Sequence, residues 1–200
     1  MHKYMNKQLN LCAIIMHSKP GYKTGKKNKI FDNLLNQKFT VDCKNKVWCT
    51  DFAYMRQPNG KFRYNCSIID LYDRSAVASL NSDCINTDLA INTLKTALKK
   101  EKHPKVILHS DQGVQFTSCE FVNFCKDNNI TQSMSKAGCP YDNAPMERFY
   151  NTFKSSFYNV TSFSNVEMMD ELTTKYINWY NYVRPHSHNN YLTPMEARYK

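Results

Sequence analysis

No run of apolar residues in this sequence approaches the roughly 20 that a membrane-spanning helix needs. The longest near the amino end, Leu11–Met16, has six residues, and no small-residue cleavage site follows it, so it does not read as a secretion signal. Glycine and proline are scarce at 12 together, while 26 Phe, Tyr and Trp are spread along the 200 residues; collagen-like, low-complexity and disordered chains are excluded. Eight cysteines are present but none forms a C-x-x-C pair, and no histidine completes a zinc-knuckle spacing. Buried, reduced thiols acting as small apolar side chains are expected instead. Acidic residues are sparse at the amino end. Residues 1–46 carry ten Lys against two Asp, a surplus of +8 out of the total of +10, which leaves residues 47–200 nearly neutral. A basic arm on a neutral body suits a polyanion, with nucleic acid ahead of an acidic membrane surface. These absences point to a cytoplasmic globular protein with no membrane segment.

Residues 1–40 read as a helical remnant followed by a basic linker, broken at Ser18-Lys19-Pro20-Gly21. From residue 41 the pattern is that of a folded domain. Lys46–Met55 and Lys61–Tyr72 are rich in β-branched and aromatic residues and flank Pro58-Asn59-Gly60, a hairpin signal. Ala76–Leu80 adds a third strand. Apolar residues at helical spacing follow at Thr87–Lys100, then a short strand at Lys105–Leu108, a helix at Ser118–Asn128 and a strand at Ile130–Ser135. Asp142 is placed to cap a helix running to about Tyr158; a long helix at Val166–Val183 and a short one after Thr193-Pro194 close the chain. That order implies an α/β domain with a five-stranded mixed sheet flanked by helices and extra carboxyl-terminal helices.

Three carboxylates stand out. Asp51 sits mid-strand on a face shared with Val47, Cys49 and Ala53, where an ionised group is costly without a cation or hydrogen-bond partners. Asp111 closes the fourth strand just before Gly113, at the strand end where open α/β sheets place their sites. Glu147 lies near the start of the Asp142 helix, and a turn of 100° per residue sets Glu147, Asn151 and Lys154 within about 60° of one another. Met146, Phe149, Phe153 and Phe157 form the opposite, core-facing stripe. Converging carboxylate oxygens suit Mg²⁺ or Mn²⁺ rather than zinc. Taken singly, each acid also has an ordinary reading as a surface, turn or solvated-face residue.

Trp48-Cys49-Thr50-Asp51, the run His109-Ser110-Asp111-Gln112-Gly113 through Ser118, and the run Ser133–Glu147 with Asp142-Asn143-Ala144-Pro145-Met146-Glu147 at its end resemble the catalytic core of insertion-sequence transposases. The likeness is to the OrfB subunit of the IS-three group, a core similar to retroviral integrase. Thirty-five residues separate Asp111 from Glu147, the spacing that names the D,D(35)E class, and Lys154 fills the basic position seven residues on. Tyr176-Ile177-Asn178-Trp179-Tyr180-Asn181 with Arg184, His186 and Thr193-Pro194 is similar to the carboxyl-terminal signature. Ala53 stands where the family more often has Thr, and Asn189-Asn190 replaces Leu-Gly.

The resemblance implies a ribonuclease-H-like fold and DNA strand cleavage and joining, with Asp51, Asp111 and Glu147 as catalytic and metal-binding residues. Two divalent cations would stabilise the attacking and leaving oxygens together, Asp51 bridging them and the other two carboxylates holding one each. Lys154, Asn143, Gln115 and Arg184 are the expected DNA contacts. His109 reads as packing beside Asp111, and Tyr176, Trp179 and Tyr180 as core. Partners implied are transposon-end and target DNA, further copies of the chain on that DNA, and a product of the upstream frame. Because the family carries a longer helical region ahead of its core, the chain reads as an amino-terminally short copy. A nuclease that only hydrolyses, and a non-catalytic DNA-binding relic or regulator of transposition, are the alternative readings.

Overall fold

The computed structural model describes residues 29–57, 59–102 and 104–200. Much of the segment read as helical remnant and linker lies outside those residues. Strands β1 (Val47–Arg56) and β2 (Phe62–Asp70) form the expected hairpin, with Trp48 opposite Asp70 and Arg56 opposite Phe62. Strand β3 (Ala76–Ser82) pairs antiparallel with β2; β4 (Ile107–Ser110) and β5 (Thr131–Met134) are parallel to β1 and to each other. The sheet order is β3-β2-β1-β4-β5. After β1 the chain winds to one side through β2 and β3, then returns to β1's other edge as β4. The carboxyl ends of β1 and β4 thus flank the point where strand order reverses, and crevices form at such points.

Strand alternation assigns β1 to two cores. Val47, Cys49, Ala53 and Met55 face helix α4 (Ala144–Ser156) and helix α5 (Val166–Tyr182), meeting Phe149, Phe153 and Tyr176. Trp48 faces the other way, onto α1 (Thr87–Lys100), the single turn α2 (Val114–Thr117) and α3 (Cys119–Asp127), meeting Leu94, Phe116 and Phe121. Burial on both faces explains why β1 alternates between two apolar environments rather than between core and water. The α2 turn was not legible as a helix; fully buried Phe116 draws it against the sheet.

Part of the segment read as linker is tied to the domain. Asp32 O accepts from Met134 N (3.3 Å), Leu34 N donates to Ser133 Oγ (2.9 Å), and Leu35 is buried with the α4 core. This strap covers the β5 edge, which would otherwise offer unpaired backbone groups. At the other end, helix α6 (Pro194–Tyr199) starts with a capping box between Thr193 and Glu196. Its Arg198 is buried among Asp70, Asp73 and Glu101.

Three expectations need correction. Asp142 does not cap α4: it lies in a 3₁₀ turn (Pro140–Asn143) and accepts from Gln37 Nε2 (2.9 Å) and Lys136 N (3.0 Å), while Asn143 takes the cap position. Trp179 is not core; it lies on the outer side of α5, 41% exposed, whereas Tyr176 and Tyr180 are buried. The thiols divide: Cys49, Cys66 and Cys125 are buried, but Cys43, Cys84 and Cys119 are exposed. Among the described residues no helix is long and apolar enough to cross a membrane.

Candidate active site

The β1–β4 register determines where the two aspartates lie. Cys49 pairs with His109, so two residues further along each strand Asp51 and Asp111 emerge side by side, just past the last paired rung. Glu147 arrives from the first turn of α4, whose buried side presents Met146, Phe149, Tyr150 and Phe153 to the sheet. Asp51, Asp111 and Glu147 line one cleft of about 830 Å³. A smaller recess of about 310 Å³ between β1 and α4 joins Asp51 and Glu147 to Asn151 and Lys154, the polar helix edge expected from the 100° turn.

Each acid is held differently. Asp51 Oδ1 accepts from Phe52 N (2.8 Å), and the Tyr150 hydroxyl donates to the Asp51 backbone carbonyl (2.9 Å), tying β1 to α4 behind the carboxylate. Burial pushes the Asp51 carboxyl up to about 7, with the negative charges of Asp111 and Glu147 adding to the rise; the Phe52 N–H and Lys154 oppose it. Asp111 is exposed, its Oδ1 accepting from Gly113 N (2.9 Å) in a tight turn. A Cβ at Gly113 would lie 2.9 Å from Asp111 Oδ1 and 3.1 Å from Gln115 Oε1, so any side chain here would push the Asp111 carboxylate aside. Glu147 is exposed on the cleft wall.

Supporting side chains fix the floor. Fully buried His109 bridges Ser133 Oγ (2.9 Å, from Nδ1) and Ser135 Oγ (3.1 Å, from Nε2), and burial pushes it down to about 4, so it is a neutral clamp between β4 and β5. Asn143 lines the cleft, 4% exposed; its Nδ2 donates to Thr50 O (3.2 Å), while its Oδ1 is buried without a hydrogen-bond partner. Gln115 also lines the cleft, its Nε2 reaching Ile85 O at 3.4 Å. Arg184 does not join them. It lies beyond the end of α5 with its guanidinium 5.4 Å from the Tyr180 ring centroid. Sequence reading missed Tyr150 and the apolar wall of Tyr54, Ile85 and Val114. Tyr150 was readable, since it lies next to Phe149 on the core side of α4.

The donor set fits a hard cation: oxygens only, with a desolvated carboxylate in one cleft with two others. Among the described residues no three His, Cys, Asp or Glu side chains form a group able to hold one ion. Pairs of carboxylates drawn from the three elements remain, with phosphate oxygens and water to complete each shell.

A family model described as "Integrase core domain" matches residues 41–140, and a second of the same description matches residues 128–194. The chain is 34% identical over 167 residues to the putative transposase InsK of insertion sequence element IS150 from Escherichia coli K12, covering 83% of this chain and 59% of that protein. It is 34% identical over 173 residues to the transposase InsF of insertion sequence IS3A from the same organism, covering 86% and 60%. It therefore spans about six tenths of the length of these relatives. A transposase-like protein of Haemophilus influenzae is 32% identical, with 87% of this chain and 80% of that one covered. Among solved structures, a chain of the simian T-cell lymphotropic virus intasome, in complex with PP2A regulatory subunit B56 gamma, superposes with a TM-score of 0.67 at 15% identity, covering 88% and 61%. The HTLV-2 integrase catalytic core domain, solved with magnesium, gives 0.59 at 15% identity, covering 78% and 97%. These superpositions establish the ribonuclease-H-like fold of integrase cores. With a five-stranded sheet that sets Asp51 beside Asp111, and an integrase-core match spanning half its length, the chain belongs to the integrase core domain family.

Proposed function

We propose that this chain catalyses metal-dependent cleavage and strand transfer of DNA as the transposase of an insertion sequence, with Asp51, Asp111 and Glu147 as its catalytic carboxylates. One observation carries the reading: three acids from a central strand, the end of its neighbour and a helix line a single cleft. Asp51, Asp111 and Glu147 would hold two Mg²⁺ or Mn²⁺ ions, which would supply charge stabilisation to the attacking and leaving oxygens of the phosphodiester. The magnesium bound to the HTLV-2 core supports that choice.

The chain's own groups do the positioning. Lys154, on the rim beside Glu147, binds a phosphate next to the scissile bond as a point charge. Asn143 Oδ1, buried and without a donor, accepts a hydrogen bond from the nucleophile. Water attack on phosphorus breaks the P–O3′ bond and leaves a 3′-hydroxyl on the element's end. That hydroxyl then attacks a target phosphodiester, forming one P–O3′ bond as another breaks, and in each step the proton lost by the attacking oxygen is matched by one taken up by the departing 3′-oxygen. No protein nucleophile is required. Joining two ends calls for at least two copies of the chain on the DNA, acting on the chromosome of a prokaryotic cytoplasm and together with the upstream-frame product. The intasome likeness supports assembly on DNA.

The test is a labelled duplex carrying the element's own terminal sequence, incubated with the protein and Mg²⁺ or Mn²⁺. A nick ending in a 3′-hydroxyl, joined products in target DNA, and loss of both by at least ~100-fold in Asp111→Asn are expected, as for removal of a group acting in the transition state. Hydrolysis without joining would make the chain a nuclease. A gel shift without nicking would make it a relic, and an Asp111→Asn variant as fast as wild type would refute the site.

A further inference from the structure

One wall of the cleft is aromatic. Tyr54, three residues beyond Asp51 on β1, lines the same cleft as the three carboxylates and is 52% exposed. Its ring meets Tyr64, its partner across the hairpin, edge-on at 5.2 Å and 76°. Phe62, 50% exposed, packs edge-on to Tyr54 at 6.2 Å and lies 6.4 Å from Tyr64. Directly opposed residues share a sheet face, so the three rings form one group where the Trp48 face of the hairpin runs out past its covering helices. Large rings half in water, braced by one another and opening into a site, are not core.

The charges beside them select the ligand. Arg56, opposite Phe62, and Lys61, at the turn, are exposed. Arg63, by contrast, is committed to Asp83 (2.8 Å) and Asp170. Aromatic faces flanked by cations fit a nucleobase and its backbone, because every base offers a π-face for stacking. A paired base inside a duplex has both faces covered, so only an unstacked base can use this wall. At about 3.3 Å per residue, Tyr54 lies about 10 Å along the strand from Asp51, a reach of one or two nucleotides from the reacting phosphate.

We propose that Tyr54, braced by Tyr64 and Phe62, stacks on an unpaired base next to the phosphate under attack and so holds opened DNA in the cleft. This contact rests on the transposase reading above.

The test is anisotropy of labelled DNA with the full chain in Ca²⁺, comparing a fully paired duplex with one of equal length whose end carries unpaired thymidines. Wild type is expected to bind the unpaired end about tenfold more tightly than the paired one. Tyr54→Thr, which keeps strand propensity, is expected to lose that preference with paired-duplex affinity changed less than about twofold, as loss of a base contact alone requires. Tyr54→Trp should keep it. Equal binding of both duplexes by wild type, or a preference that survives in Tyr54→Thr, overturns the platform and leaves the transposase reading standing. No binding of either duplex by wild type brings down both. Loss of self-association in Tyr54→Thr without any change in duplex preference overturns the proposal in favour of a protein contact.

Discussion

Ionising Asp51 costs the folded chain free energy, because burial and the charge of Asp111 both oppose it. A carboxyl raised from 3.8 to about 7 contributes stability that is present at low pH and lost as the pH rises through about 7. At neutral pH the metal-free site therefore works against folding. Asp51→Asn is expected to raise the melting temperature of metal-free protein by a few degrees, at roughly 2–4 °C per kcal/mol for a chain of this size. The same variant should lack the further rise that Mg²⁺ gives wild type by binding only the folded state. Calorimetry with and without MgCl₂ checks both, and a variant whose melting point still climbs with Mg²⁺ would remove Asp51 from the ligands. His109 has the opposite sign. Its folded value is lowered from 6.5 to about 4, so stability from its neutral form is present above 6.5 and lost as the pH falls towards 4. His109→Gln should flatten that acid loss, measured as the difference between denaturation midpoints at pH 7 and pH 5. Gly113 acts by its lack of a side chain. Gly113→Ala sets a methyl 2.9 Å from Asp111 Oδ1 and should cut nicking at least ~10-fold with little change in melting temperature, since a misplaced catalytic group costs rate rather than stability.

Helix α6 has six residues, too few to be stable by propensity, so tertiary contacts must hold it. The main one is Arg198. Its side chain is 1% exposed and meets Asp70 (3.0 Å), Asp73 and Glu101 (2.6 Å), and its Nη2 also donates to Asn45 Oδ1 (2.8 Å). Asp70 is already pushed up by burial and by Asp73, which shows how little the cluster would tolerate losing its cation. Arg198→Met should cost about 3–5 kcal/mol, because it leaves buried acids unpaired. Urea unfolding should show this as a lower midpoint at unchanged slope. Element positions were largely legible in the sequence, since period-2 and period-3.6 patterns mark β1, β2, α1 and α5. Caps and short turns were less so. Asp142 looks like a helix cap, yet it bonds to Gln37, a residue 105 positions away that no local pattern reveals. Asn190, where the family more often has glycine, sits at φ 53°, a left-handed position that Asn tolerates better than most residues.

Across the whole molecule, the adjacency of Asp51 and Asp111 follows from a parallel β1–β4 pairing that strand patterns alone do not dictate. The carboxylates were found through motif spacing; the aromatic wall, having no motif, was not. Charge remains the property visible from sequence at this scale. Residues 1–28 hold six Lys and no Asp or Glu, whereas residues 47–200 are close to neutral. If DNA affinity comes from that arm, replacing the six with Gln in the full chain removes up to six phosphate contacts. Each contact releases counterions, so the slope of log K against log salt should become shallower by up to about 5 on duplex DNA. Nicking at low salt and saturating DNA should be retained, since the three carboxylates are unchanged. A slope that stays the same would assign DNA affinity to the cleft and its hairpin, where Arg56, Lys61, Lys136 and Lys154 are among the cations.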